Sequence, residues 1–479
     1  MIRRAFRYLF FTLLAAIAVF GALYAFFGLR VQADGTGMPR HLYFDRQEDH
    51  LASLEKRSAE DHSVKAAELP PDPAPSAPAP EATSAANVPA AIQEAPAAVP
   101  SWPLFYGPLQ DGHYKETTIL TTWPSAGLKQ VWKRPVGGGY ASMTVAGNRV
   151  FTIEQRRDRE ATVAYDLATG RELWVNEWKA FFQESMGGDG PRATPAYHNG
   201  RVYALGAEGE FRCLDAATGR TLWRKNILSD NGATNIQWGM SASPLVADGM
   251  VVVLPGGSGG KSVAAYDLQS GAPRWTALDD KAAYTAPILA TLNGQRQLVI
   301  VSASRVVGLS LDGKSVLWQH PWVTDYDVNS ALPVVVAPDR LLLTAGYGHG
   351  SALLQITPTG AKELWQSKSM KAKFNNVVEH EGVIYGLDEG ILAAMDLKTG
   401  ERKWKGGRYG YGQLLFASGH LVILTEQGDV VLVKADPTKH QEIARFTAIE
   451  GKTWNVPALA QGKLLVRNQT EMACYQIAP

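Results

Sequence analysis

The run Ala164-Tyr165-Asp166-Leu167-Ala168-Thr169-Gly170-Arg171-Glu172-Leu173-Trp174 sets a small residue, an aspartate, a Thr-Gly pair and a tryptophan at fixed offsets, A-x-D-x-x-T-G-x-x-x-W. The pattern returns at Cys213, Asp215, Thr218, Gly219 and Trp223, and at Ala265, Asp267, Ser270, Gly271 and Trp275. A further copy runs through Ala394, Asp396, Thr399, Gly400 and Trp404. Weaker copies end at Trp318, with Ser310 in the aspartate position, and at Trp365, with Gly360 one place early. Asp436 opens a copy that ends at Ala444, and Trp132 is the tail of a copy with no head before it. Positions 132, 174, 223, 275, 318, 365, 404 and 444 are 39 to 52 residues apart. That is the length of one four-stranded propeller blade, and too long for leucine-rich or ankyrin repeats.

Upstream of the motifs, Asn199-Gly200 and Asp248-Gly249 sit between strand-like runs, as tight hairpins require. The Thr-Gly pair then turns the third strand into the fourth. Trp132, Trp174, Trp223, Trp275, Trp318, Trp365 and Trp404 are the docking residues: each indole fills a seam between blades and its N–H seeks a backbone acceptor. The last copy, over 456–476, stops before its fourth strand, and the orphan strand at 128–134 supplies it. The expectation is an all-β, eight-bladed propeller over residues 102–479 with no open edge at the seam. Period-2 runs and Gly-rich turns argue against helical repeats.

The chain has 479 residues, 46 Gly, 27 Pro, 2 Cys, 13 Trp and a net charge of +1. That charge makes no case for a nucleic-acid partner, and two cysteines exclude a disulfide scaffold or a four-cysteine zinc site. All tryptophans lie after residue 101, so the front of the chain is a different kind of polymer. Arg3, Arg4 and Arg7 precede an uncharged run over 8–29, long enough to span a bilayer core. Residues 1–30 are therefore expected to be a cytoplasmic stub and single-pass transmembrane anchor, with the remainder on the periplasmic, extracytoplasmic side. A cleaved signal peptide is the competing reading. Residues 31–101 form a juxtamembrane segment and linker: between 45 and 101 there is no aromatic residue apart from histidine, and nine prolines sit among Ala, Ser and Glu. A short helix over 46–66 and a disordered or polyproline-like tether over 67–101 follow.

The repeat resembles the quinoprotein (PQQ)-like propeller family, over residues 102–479 and four near-complete copies of its tryptophan-docking motif. It is similar to a BamB-like, membrane-anchored bacterial subgroup, in which W-x-x-F-x-G-P-x-x-D/N-G precedes the propeller. Here that stretch is Trp102, Phe105, Gly107, Pro108, Asp111 and Gly112. The resemblance implies an exported envelope protein, although this chain lacks the lipid-acceptor Cys of BamB. It also implies a second possibility, since dehydrogenases of this fold hold PQQ in the central funnel. There a calcium is bound by Glu, Asn and Asp, often beside two adjacent cysteines. Cys213 and Cys474 are far apart, both take the motif's alanine position, and read as buried free thiols.

Other candidate chemistry is thin. Gly256 to Ser262 looks like a phosphate loop, but Pro255 stands where a glycine is needed, and a strand follows where a helix must. It reads as a hairpin. The 10 histidines are scattered, and no catalytic set or metal site assembles from spacing. The informative alignment takes Pro195, Pro244, Pro287, Pro333 and Pro457 as one inner-strand register, with Met143, Val377 and Leu414 in the matching places. Three residues earlier stand Tyr140, Arg192, Ser241, Tyr284, Ser330, Phe374, Tyr411 and Trp454. Inner strands begin at the funnel mouth, so this mostly aromatic set rings the axis, with Trp238, Asn329, Asn375, Tyr409 and Asn455 adding hydrogen-bonding groups. Long connections at 181–192 and 226–240, with Glu184, Asp189, Asp230 and Asn235, and the stretch 322–327 crowd the same face. The expected work is non-catalytic binding or scaffolding of an envelope protein, peptide or small ligand at this mouth, with no resident cofactor or metal. The alternative is a PQQ-dependent dehydrogenase using PQQ and calcium in the funnel; a further reading has the rings merely plugging the channel.

Overall fold

The computed structural model describes residues 2–26, 29–33, 38–44, 47–63 and 102–479. Ahead of the ring come α1 (Ile2–Phe26), the antiparallel pair β1 (Leu29–Ala33) and β2 (Pro39–Phe44), α2 (Gln47–Ser63), β3 (His113–Tyr114) and β4 (Lys129–Pro135). Blade 1 is the meander β5 (Thr144–Ala146), β6 (Arg149–Arg156), β7 (Arg159–Asp166) and β8 (Glu172–Lys179). Blades 2 to 7 repeat this four-stranded unit between 196 and 447. The last three strands, Ala458–Ala460, Lys463–Arg467 and Glu471–Gln476, take β4 as their fourth. The ring is thus an all-β, eight-bladed propeller closed by an N-terminal strand. Its middle strands, such as Leu421–Leu424 and Val430–Val433, are buried on both faces and read as unbroken apolar runs.

The motif explains the seams atom by atom. Asp166 Oδ1 accepts from the Thr169 N–H and hydroxyl, both at 2.8 Å, and Gly170 follows at φ +67°, where an L side chain is strained. The indole of the preceding blade lies on that glycine. A Cβ at Gly170 would meet the Trp132 ring at 2.6 Å, one at Gly219 the Trp174 ring at 2.5 Å, and one at Gly271 the Trp223 ring at 2.7 Å. The Trp132 N–H donates to the Leu167 carbonyl at 2.9 Å, that of Trp174 to Ala216 at 3.1 Å, and that of Trp223 to Leu268 at 3.1 Å. Trp365 and Trp404 repeat the bond to Leu397 and Asp436. Trp318 departs from the pattern: its neighbour is blade 5, with the shifted Gly360, and its N–H turns to Gln297 Oε1 within its own blade at 2.6 Å. A small residue faces each of several indoles across the strands, as in the pairs Ala164–Trp174, Cys213–Trp223 and Cys474–Trp132. Both cysteines are free and buried, and burial pushes their thiols up, Cys213 to about 11 and Cys474 to about 12. The Gly256–Ser262 stretch is a hairpin turn in blade 3, bridged Gly257 to Lys261.

Residues 102–128 do more than lead into the ring. Trp102 is buried and bridges Val145 at the far end of the innermost strand of blade 1. The Tyr106 hydroxyl donates to the Leu414 carbonyl at 3.0 Å, and Gln110 Nε2 to the Pro287 carbonyl at 3.2 Å. β3 adds a parallel strand to the innermost strand of blade 7. The stretch therefore enters the central channel from the face opposite the mouth and floors it.

The helix expected over 46–66 is α2, and it packs on the ring, burying Leu51 and Leu54. The tether expected over 67–101 lies outside the described residues; it joins α2 to Trp102, two elements that both sit on the propeller. Among the described residues no helix is long and apolar enough to cross a membrane.

Two outcomes follow from the seams. Trp223→Ala empties the joint between blades 2 and 3 and is expected to cost about 3–5 kcal/mol, measured by denaturant unfolding. Gly219→Val, which puts a side chain at φ +73° and into Trp174, should lower the same midpoint. Glu160 is buried between blades 1 and 2, accepting from the Ala207 N–H at 2.9 Å and the Trp178 N–H at 3.0 Å. Burial raises its pKa from the ordinary 4.5 to about 7. The folded chain then holds a proton that the unfolded chain releases, so stability falls as pH rises from about 4.5 to 7 and levels off above. Thermal melts across that window should show this slope in the native protein and a flatter profile in Glu160→Gln.

Candidate functional site: an aromatic cup at the funnel mouth

Every inner strand starts on one face of the ring, so the residues just before those strands converge on the axis. They enclose a cavity of about 220 Å³ walled by Tyr140, Arg192, Trp238, Ser241, Tyr284, Ser330, Phe374 and Trp454, with Gln413 and Phe105 also contributing. Of the eight aligned positions, only Tyr411 is missing from the wall; it packs against Phe374 at 5.7 Å between ring centroids. The rings also hold one another. Tyr140 stacks on Trp454 at 5.4 Å, Phe374 meets Trp454 at 4.7 Å, and Trp238 meets Tyr284 at 5.5 Å. The Trp454 N–H donates to Glu426 Oε1 at 2.9 Å. These contacts leave the cavity open, so the rings line the channel mouth and do not fill it.

Cations surround the rings. Arg192 lies 4.6 Å from the Phe182 centroid and 5.6 Å from that of Tyr140. Lys452 lies 4.2 Å from Trp454, and Lys373 4.7 Å from Tyr347 and 4.8 Å from Tyr411. Such placement favours the charged side chain over the ring face. Burial lowers the Arg192 pKa, and its guanidinium is tied to the Gly188 carbonyl at 2.6 Å. Lys452 Nζ donates to the Gly187 carbonyl at 2.8 Å, and the Tyr140 hydroxyl to the same oxygen. The long 181–192 connection is thereby pinned to the cup wall. Burial pushes Tyr284 up to about 12, so it stands as a neutral phenol. Gln413 Nε2 donates to the Phe374 and Trp454 carbonyls at 3.0 and 2.9 Å, while its buried Oε1 has no partner among the described residues.

The amides expected at the mouth are turned into its walls. Asn329 donates to the Ser302 carbonyl at 2.9 Å, Asn375 to Leu387 at 3.2 Å, and Asn455 to Ala141 at 2.9 Å. All three are buried among backbone carbonyls they satisfy. Tyr409 likewise points away, its hydroxyl on Glu442 at 2.8 Å. Of the long-loop residues, Glu184 accepts from the Met186 N–H at 2.8 Å, and Asn235 donates to the Ala207 carbonyl at 2.9 Å. Asp230 ends the short helix α3 (Ile227–Asp230). These residues shape the loops. Lys373, Lys452 and Gln413 are absent from the sequence expectation, and Phe105 enters it only as part of the stretch before the propeller. The signal for three of them was adjacency: each lies within two residues of a ring position. The cup wall carries no carboxylate, and among the described residues no group of three or more His, Cys, Asp or Glu gathers to hold a metal. Among the described residues, the cup wall does not itself present the Glu and Asp donors that the resemblance implies for a dehydrogenase calcium.

The family described as outer membrane protein assembly factor BamB matches residues 157–406, more than half of the chain. The assembly factor BamB of Bordetella pertussis is 23% identical over 308 residues, 62% of this chain and 72% of that protein. Among solved structures, BamB from Moraxella catarrhalis superimposes with a TM-score of 0.54 at 16% identity, covering 73% of this chain and 100% of that one. Quinohemoprotein alcohol dehydrogenase from Comamonas testosteroni does so with a TM-score of 0.56 at 12% identity, covering 78% and 80%. At those identities the superpositions speak for the fold alone. Blade pattern, docking motif and family match agree, and the chain belongs to the PQQ-like propeller family described as outer membrane protein assembly factor BamB.

Proposed function

We propose that this protein is a membrane-tethered, extracytoplasmic scaffold of the cell envelope that captures a partner in the cup at its funnel mouth. The observation that carries this reading is the cup itself: floored from the far side, walled by mutually braced rings, and holding Gln413 Oε1, which has no partner among the described residues. Rigid aromatic walls offer large apolar contact at low side-chain entropy cost. Gln413 asks for a donor, and the nearby cations favour an acidic neighbour. A peptide segment of an envelope protein, inserting an aromatic or apolar side chain, meets all three demands. Family membership supports an envelope setting, since the related proteins are named for outer-membrane assembly.

The anchor is α1. Phe11, Ile17 and Val19 are each about 60% exposed on a helix that packs little of itself against the ring, and Arg3, Arg4 and Arg7 precede its apolar run. Apolar side chains in that state are suited to lipid, with the basic end inside. Deleting residues 1–27 is expected to move the protein from the membrane pellet to the soluble fraction with the propeller still folded.

Trp454→Ala combined with Trp238→Ala is expected to abolish partner capture by crosslinking in intact cells, with the β-sheet circular dichroism signal retained. Retention of every crosslinked partner would overturn the cup as the capture site. The dehydrogenase alternative is checked in the same preparation: added PQQ and calcium should leave dye-linked alcohol oxidation at background.

A further inference from the structure

α2 fixes which face of the ring looks at the membrane. The helix lies along the outer rim, against β4, which closes blade 8, and β8 of blade 1. Its N-terminal part is tied to the mouth face. His50 Nε2 hydrogen-bonds the Val136 carbonyl at 2.9 Å, and Glu48 accepts from Arg157 at 2.9 Å. Arg157 sits in the turn between β6 and β7, beside the connection that leaves β8 for the mouth: the Ala180 N–H donates to the Asp158 carbonyl at 3.3 Å. The C-terminal end of α2 reaches the start of β8, which leaves the opposite face, and the end of β4. Asp61 accepts from Arg134 at 2.8 Å and from the Glu172 N–H at 2.9 Å, next to the Thr169-Gly170 turn. Leu51 and Leu54, buried beneath, fix the helix between these two ends.

Chain connectivity then limits where α1 can be. β1 and β2 pair with Leu29 opposite Phe44, so the chain enters and leaves this hairpin at one end. Three Cα steps on either side and one strand spacing allow at most about 28 Å between Phe26 and Gln47. This leash therefore starts from the mouth-face end of α2, a helix roughly 25 Å long, and is centred on that face. A second observation points the same way. The mouth-face connections carry Tyr326 at 76% exposure, Val323 at 61%, Met186 at 57% and Phe181 at 43%. They stand after blade 1 and after blade 4, on both sides of the cup. Tyrosine and apolar tips of this kind are suited to the headgroup level of a bilayer.

We propose that the mouth face is the membrane-facing side of the propeller, with α2 locking the ring so that the cup opens toward the lipid surface holding α1, and Phe181, Met186, Val323 and Tyr326 at the interface. The proposal rests on the anchor reading of α1. It confines the cup's partner to segments presented at the membrane.

The test uses the full chain reconstituted in phosphatidylethanolamine/phosphatidylglycerol vesicles. Single fluorescent labels go at Met186→Cys and Tyr326→Cys on the mouth, and at Lys398→Cys in the exposed third-to-fourth-strand turn of blade 6 on the opposite face. The two native thiols are buried. Headgroup-quencher lipids are expected to quench the first two labels at least threefold more than the third. Equal quenching at the three positions, in protein that co-floats with the vesicles, overturns the orientation and leaves the anchor standing. Failure to co-float overturns the anchor and the orientation with it. Leu54→Asp, which releases α2, should level the three signals while the ring still melts cooperatively; Arg157→Glu replaces it if that variant does not fold. A difference preserved with α2 released overturns α2 as the lock.

Discussion

One contact recurs around the ring and the rest of the structure depends on it: an indole laid over a glycine of the next blade. The glycine adopts a positive φ because the aspartate cap bends the chain there, and its missing Cβ makes the room that the indole occupies. The indole N–H then finds a carbonyl beside the same turn. Turn geometry, blade spacing and blade angle are therefore set by a single local arrangement. The joint that closes the ring uses the same parts from opposite chain ends: Trp132 lies opposite Cys474 and over Gly170. Losing that joint would expose two strand edges at once.

The cup is a consequence of this geometry. Eight inner strands all start on one face, so the residues three places before their common register meet at the axis, whatever they are. In this chain most are aromatic, and they brace one another while cations sit against their faces. The floor comes from outside the repeat, through Tyr106 and Gln110 reaching carbonyls of blades 7 and 4. A channel through the ring thereby becomes a blind vessel, suited to holding a side chain.

The seam between blades 8 and 1 also concentrates charge. Arg467 is fully buried and donates to the Gly137 carbonyl at 2.9 Å, while Glu154 accepts from Tyr165 at 2.5 Å. Arg156 pairs with Glu172 at 2.6 Å, and Glu172 also meets Asp61 of α2 through its backbone. Nearby arginines hold the Glu154 carboxyl below its ordinary range despite its burial. Buried charges persist when each is paired and hydrogen-bonded, and removing one partner strands the other. The closing seam is thus also the place where α2 joins the propeller.

What the sequence determined by itself is whatever rests on short separations and repetition. The Asp-Thr-Gly turn and the tryptophan four residues after its glycine are local, and eight repeats of about one blade length leave few folds open. The inner-strand register was legible for the same reason, and with it Tyr140, Arg192, Tyr284, Phe374 and Trp454 around the axis. Only the tertiary structure decided the features made by residues far apart in the chain. Tyr106 meets Leu414, Gly187 accepts from Lys452, and Glu48 meets Arg157; no periodicity relates those positions. It also decided which way Asn329, Asn375 and Asn455 turn. A buried amide goes to whichever backbone carbonyl would otherwise be unpaired, and that vacancy exists only once the blades are packed.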